Sequence, residues 1–87
     1  MTTFKPTKFE NKTDAMFSLY LEPLGSDYWL SPGEIFDVVP QNAGDDFHLH
    51  VISYTDGVQV YVEGTGEAIV CCDGRELPCG HQRPPSA

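Results

Sequence analysis

DFHLHVISYTDGVQVYVEG, residues 46–64, is two alternating runs on either side of Asp56-Gly57. Apolar and polar residues alternating with a period of two mark a strand with one buried face. Asp-Gly suits the two-residue type I′ turn that joins twisted antiparallel strands. A two-residue loop pairs Thr55 with Val58, Ser53 with Val60 and Val51 with Val62, and it sets His50 across from Glu63. Phe47, Leu49 and Val51 then share a face with Val58, Val60 and Val62. A three-residue loop would place Tyr54, Ile52 and His50 beside the valines instead, and a slip of one residue sends every side chain to the wrong face. The pattern therefore selects the first register. His48, His50, Ile52, Tyr54, Gln59, Tyr61 and Glu63 fall on the opposite face.

The same alternation runs outward from this hairpin. Phe17, Leu19 and Leu21 share one face of Ala15–Glu22, and Ser18, Tyr20 and Glu22 the other. Pro23 to Asp27 reads as a turn, Tyr28 to Leu30 as a short strand, and Ser31-Pro32-Gly33 as a turn with Pro and Gly in type II order. Glu34 to Val39 is the next strand, Pro40 to Asp46 a polar loop, and a second Asp-Gly pair, Asp73-Gly74, joins Ala68–Cys72 to Arg75–Cys79. No segment sustains a helical apolar period without Gly or Pro. The expectation is an all-β domain, a small antiparallel β-sandwich or jelly-roll-like barrel of six to seven short strands with no substantial helix. Residues 1–13 are expected to form a flexible arm, with Phe4 or Phe9 as candidates to dock on the body, and residues 14–79 the single β domain. Residues 80–87 read as a tail, because Pro84-Pro85 can continue neither helix nor ladder.

With 87 residues the chain makes one domain with one small core. Its 40% hydrophobic and 21% charged content lies in the globular range. The net charge is −8, and its distribution is uneven: between Lys12 and Arg75 there are 62 residues with no Lys or Arg and eleven carboxylates. Asp27, Asp45, Asp56 and Asp73 sit where turns favour Asp, whose side chain bonds local backbone. Glu22, Asp37, Glu63 and Glu67 lie on or beside strands, where charge also keeps edges from pairing with other chains. Missing cations argue against gripping phosphate, nucleic acid or an anionic membrane. They favour a basic protein surface, including the case in which the domain mimics nucleic acid in a basic cleft. No apolar run reaches signal-peptide or membrane-spanning length, so the expected location is the cytoplasm. Three cysteines, Cys71, Cys72 and Cys79, are an odd number and argue against a disulfide framework.

His48-x-His50 is the first constellation with chemical content, since residues two apart on a strand project from one face. With Gly44 it resembles the way proteins of the cupin type present two metal ligands. That resemblance implies a divalent transition metal on His48, His50 and a third ligand, Glu63 or His81. The chain departs from the cupin pattern in two places: Glu63 lies on the next strand, and Pro78-Cys79-Gly80-His81 is more compact than the later cupin motif. The plainer reading is a cross-strand polar contact between His50 and Glu63 with no cofactor. Cys71-Cys72 with Cys79-x-His81 makes a poor zinc site, because neighbouring residues on a strand point to opposite faces and no C-x-x-C knuckle is present. Cys72 shares the alternation of Ala68 and Val70 and reads as a small hydrophobe. There is no G-x-S-x-G, H-E-x-x-H or P-loop, and a Cys–His dyad needs an adjacency that spacing does not supply. The balance leans away from an enzyme.

Leu21-Glu22-Pro23-Leu24-Gly25-x-Asp27-Tyr28-x-Leu30-x-Pro32-Gly33, with Cys79-Gly80-His81-x-Arg83-Pro84 far downstream, resembles a small family of bacterial proteins with no assigned activity. The resemblance implies that residues 79–84 pack on the body. The expected function is a non-enzymatic module that binds a basic protein surface through the face carrying His48, His50, Tyr54, Gln59, Tyr61 and Glu63. Tyrosine favours such a role because it joins apolar area to a hydrogen-bonding tip. The alternatives are the cupin-like metal or small-ligand site and a purely structural, homodimer-forming unit.

Overall fold

The computed structural model describes residues 5–85. It contains eight strands: β1 (Thr7–Glu10), β2 (Phe17–Glu22), β3 (Ser26–Leu30), β4 (Ile35–Gln41), β5 (His48–Ser53), β6 (Gly57–Glu63), β7 (Glu67–Cys72) and β8 (Arg75–Glu76). They form two four-stranded sheets, β1-β4-β7-β8 (sheet A) and β3-β2-β6-β5 (sheet B), packed face to face. There is no helix among the described residues. The expected all-β sandwich is therefore the fold, with one strand more than expected and one departure from antiparallel pairing, since β2 and β6 run parallel.

The core lies where the alternation puts it. Sheet B contributes Leu19, Leu21, Leu30 and Val60, and sheet A contributes Phe36, Val38 and Val70, all essentially without solvent exposure. Each such side chain contributes about 1.5–3 kcal/mol relative to being left in water. Leu49, Val62, Phe47 and Cys72 pack around this centre, so Cys72 is on the core face as its alternation implies. Cys71, on the other side of the same strand, is nonetheless buried, and all three cysteines are free thiols.

The arm expected over residues 1–13 contains β1, which pairs with β4, and Phe9 packs on the core; Phe4 lies outside the described residues. The chain after β1 is anchored by Asn11, which is 1% exposed. Its amide donates to the carbonyls of Ala15 (2.8 Å) and Leu30 (2.9 Å), and its side-chain oxygen accepts from the Thr13 backbone N–H (2.9 Å) and hydroxyl (2.7 Å). Its backbone N–H bonds to the Glu34 carbonyl, and its carbonyl accepts from the Gly33 N–H. Local sequence does not mark Asn11 as an anchor, because its partners include Leu30, Gly33 and Glu34, 19 or more residues along the chain.

The two Asp-Gly pairs behave differently. Asp73 (φ 51°) and Gly74 (φ 80°) are both left-handed between paired Cys72 and Arg75, which is the type I′ turn expected there. Asp56-Gly57 does not form such a turn. The observed register pairs Ser53 with Val58, Val51 with Val60, Leu49 with Val62 and His48 with Glu63, leaving Tyr54 to Gly57 as a four-residue connection. The expected pairing is thus displaced by two residues, and His50 lies opposite Tyr61. The reason is that Gly57 serves β2. A Cβ on Gly57 would sit 2.0 Å from Ser18 Oγ and 2.6 Å from the Ser18 carbonyl oxygen, so the parallel β2–β6 pairing needs a residue without one. Displacement by an even number keeps every side chain on its face, and the core assignment survives.

Residues 79–83 are not a frayed tail. The Trp29 N–H donates to the His81 carbonyl (3.0 Å), the Gly80 N–H to the Asp27 carbonyl (2.6 Å), and Tyr28 and His81 form a parallel bridge. The segment covers the β3 edge of sheet B, as β-edges require when left without a neighbouring strand. The His81 ring meets Phe36 of sheet A edge-on at 5.6 Å, so the segment touches both sheets.

Candidate functional site

The outer face of sheet B carries the side chains with chemistry. Strands β2, β3, β5 and β6 contain no Lys or Arg, so the fixed charges they carry are all acidic. The nearest fixed cation, Arg83, is spent internally. Its guanidinium donates to both Asp27 oxygens, from Nε at 2.7 Å and from Nη2, while Trp29 Nε1 donates to Asp27 Oδ2 at 2.8 Å and the Cys79 thiol to Oδ1 at 3.7 Å. Arg83 therefore holds the Asp27 carboxyl well below the ordinary carboxylate range, against the opposing push of burial. Gln82 ties the same segment down by donating to the Trp29 carbonyl and to Glu34 Oε1. The two motif stretches, around Asp27-Tyr28 and around His81-x-Arg83, thus pack against one another.

The six residues expected to form the binding face do share it, on β5, β6 and the connection between them. Glu63 lies between the two imidazoles. His48 Nε2 is 2.9 Å from Glu63 Oε1, and His50 Nδ1 is 3.7 Å from Oε2. His48 Nδ1 is also 2.9 Å from the Asp46 carbonyl. That carbonyl and then Glu63 raise the His48 pKa above its ordinary value. The His50 ring rests against Tyr61 at 6.1 Å, and the Tyr54 hydroxyl donates to Gln59 Oε1 at 2.5 Å. His81 does not join the set. It lies beyond β3 at the far edge of the sheet, four strand spacings from β5, or roughly 19 Å. Among the described residues no group of three His, Cys, Asp or Glu side chains is arranged to hold a metal ion.

Asp46, read from sequence as a solvated loop acid, has a definite structural task. Its carboxylate accepts from the Thr65 N–H (3.0 Å) and hydroxyl (3.2 Å), joining the β4–β5 loop to the β6–β7 turn. These bonds, the backbone one first, lower its pKa.

A hollow lies beside the expected face rather than on its histidines. Ser18 and Gly57, small and adjacent across β2 and β6, floor a pit of about 360 Å³. Trp29 of β3, Tyr20 of β2, Gln59 of β6 and Tyr54 of the β5–β6 connection line it in the order of their strands across the sheet, together with Asp56. Trp29 and Tyr20 meet with ring planes 72° apart and centroids 6.4 Å apart, forming a corner. Tyr20 and Tyr54 are 38% and 55% exposed, so a ligand reaches their rings without rearrangement. Sequence reasoning found Tyr54 and Gln59 but missed Ser18, Tyr20, Trp29 and Asp56. The outward positions of β2 were legible from alternation. Their proximity to Tyr54 was not, because it depends on the parallel β2–β6 pairing.

Comparison of the chain with protein-family models, curated proteins and solved structures found no match. Function has to be read from the site itself. No helix among the described residues is long and apolar enough to cross a membrane.

Proposed function

We propose that this protein is a non-enzymatic binding module for a partner protein with a basic surface, and that the outer face of sheet B is the docking surface. The observation that carries the reading is the composition of that face. It combines the exposed rings of Tyr20 and Tyr54 and the half-buried rings of Trp29 and Tyr61 with the carboxylates of Asp56 and Glu63, and its strands have no lysine. Aromatic side chains supply rigid contact area with a polar tip, and complementary charge speeds encounter and sets register. Burial pushes up the thiols of buried Cys71 and half-buried Cys72, so both resist deprotonation, which fits packing better than nucleophilic chemistry, and three free thiols fit a reducing cytoplasm.

Calorimetric titration with an arginine- and lysine-rich polypeptide such as protamine tests the reading. Binding that weakens steeply with added salt and is lost in a Tyr61→Ala/Glu63→Gln double variant is expected. Binding unchanged in that variant, but lost on changing Ile35 on sheet A, would move the surface elsewhere. The metal alternative has its own readout. Stoichiometric zinc, iron or nickel in protein purified without chelators, and lost in a His48→Ala/His50→Ala variant, would replace the protein-binding reading.

A further inference from the structure

We infer that the pit over Ser18 and Gly57 is a receptor for a single arginine side chain presented by the basic partner; this rests on the binding-module reading above and names the group recognised. Three aromatic residues line the pit, Trp29, Tyr20 and Tyr54. A guanidinium over an aromatic face is held by the ring quadrupole, and Trp is the strongest such partner. Asp56 is among the residues that line the pit, and its carboxylate has no hydrogen-bond or ion-pair partner among the described residues. Its backbone carbonyl is engaged by the Ser18 N–H at 3.0 Å and the Ser18 hydroxyl at 3.4 Å. A carboxylate beside aromatic walls suits the planar fork of arginine, which stacks and bonds both oxygens, better than the strongly hydrated point charge of lysine. A neutral ligand such as a sugar would gain nothing from the acidity of a face whose strands lack any cation.

The molecule already contains one instance of this arrangement. On the neighbouring row of the same face, Arg83 forks onto Asp27 while the Trp29 indole donates to the same carboxylate. That carboxylate is occupied and Asp27 is 7% exposed, so an incoming arginine is left with Asp56 in the pit lining.

Trp29 is the only tryptophan in the chain, so its fluorescence reports the pit directly. The test titrates hexa-arginine amide, hexa-lysine amide and hexa-citrulline amide into the full-length protein at low salt, following Trp29 emission and heat. Saturable change with hexa-arginine is expected, about ten-fold tighter than hexa-lysine, with no binding of the uncharged citrulline peptide. Asp56→Asn and Tyr54→Ala, both at exposed positions on the β5–β6 connection, are expected to weaken hexa-arginine about ten-fold with an unchanged melting temperature, and Glu63→Gln much less. Equal binding of the arginine and lysine peptides, citrulline binding as tight as arginine, or insensitivity to Asp56→Asn and Tyr54→Ala would overturn the arginine receptor while leaving an acidic docking face in place. Absence of binding by either charged peptide would overturn both.

Discussion

The Asp27 carboxylate is gripped by the Arg83 guanidinium across 56 residues of sequence, and this pair fastens the C-terminal segment to the open edge of sheet B. Arg83→Ala should therefore release more than one contact, because Gly80, His81 and Gln82 bond to the same strand. A fall of at least about 5 °C in melting temperature is expected. The loss should depend on pH. Asp27 has a folded pKa below its ordinary 3.8, so its contribution is complete above that value and falls away as pH drops towards the depressed folded value. Urea denaturation across pH should show a constant gap between wild type and Arg83→Ala above about pH 4 that narrows below it. A gap independent of pH would mean that Arg83 acts by packing alone.

Asn11 should be the most sensitive polar position in the N-terminal part. Asn11→Ala leaves the Leu30 carbonyl without its amide donor at a buried position and the Ala15 carbonyl with the Thr13 hydroxyl alone. A destabilisation of about 2–3 kcal/mol by urea denaturation is expected. A loss within error of zero would show that these carbonyls find other partners.

Gly57→Ala tests the β2–β6 pairing. The added methyl group meets both the hydroxyl and the backbone of Ser18, and the second obstacle cannot rotate away. A cost of about 1–3 kcal/mol is expected, only partly relieved by adding Ser18→Gly. Full rescue by Ser18→Gly would place the whole conflict on the hydroxyl.

His48 and Glu63 form a contact that strengthens as pH falls. Because the folded pKa of His48 is raised above 6.5, its stabilising contribution is present below that value and is lost as pH rises through the folded value. An NMR titration of the His48 ring should give a midpoint above 6.5. Glu63→Gln should bring it down part of the way, since the Asp46 carbonyl, the larger influence, is still in place. No movement of the midpoint in that variant would show the 2.9 Å contact to be absent in solution.

The three thiols should separate by accessibility. Cys79 is exposed, whereas Cys71 is buried and Cys72 packs on the core, with burial pushing both of their thiols up. Under native conditions iodoacetamide should modify Cys79 first, with Cys71 and Cys72 reacting only on unfolding, as read by mass spectrometry. Early labelling of Cys71 would contradict its placement under the outer face of sheet A.

What the sequence determined by itself is the sorting of side chains into faces. Alternation is local, and it placed Leu19, Leu21, Val58, Val60 and Val70 inward and His48, His50, Tyr54, Tyr61 and Glu63 outward without reference to any neighbour. It also located the Asp73-Gly74 turn, where the backbone conformation is set by the two residues themselves. Which strands lie side by side was decided only by the tertiary structure. A pattern of period two is unchanged by an even displacement, so it could not distinguish His50 from His48 opposite Glu63. Gly57 looked like a turn glycine because its competing use, close approach to Ser18, involves a strand 39 residues away. The pit between Trp29 and Tyr54 and the Asp27–Arg83 clasp arise the same way. Each joins residues that sequence spacing leaves unrelated, and each exists because a particular edge or pairing of sheet B brought them together.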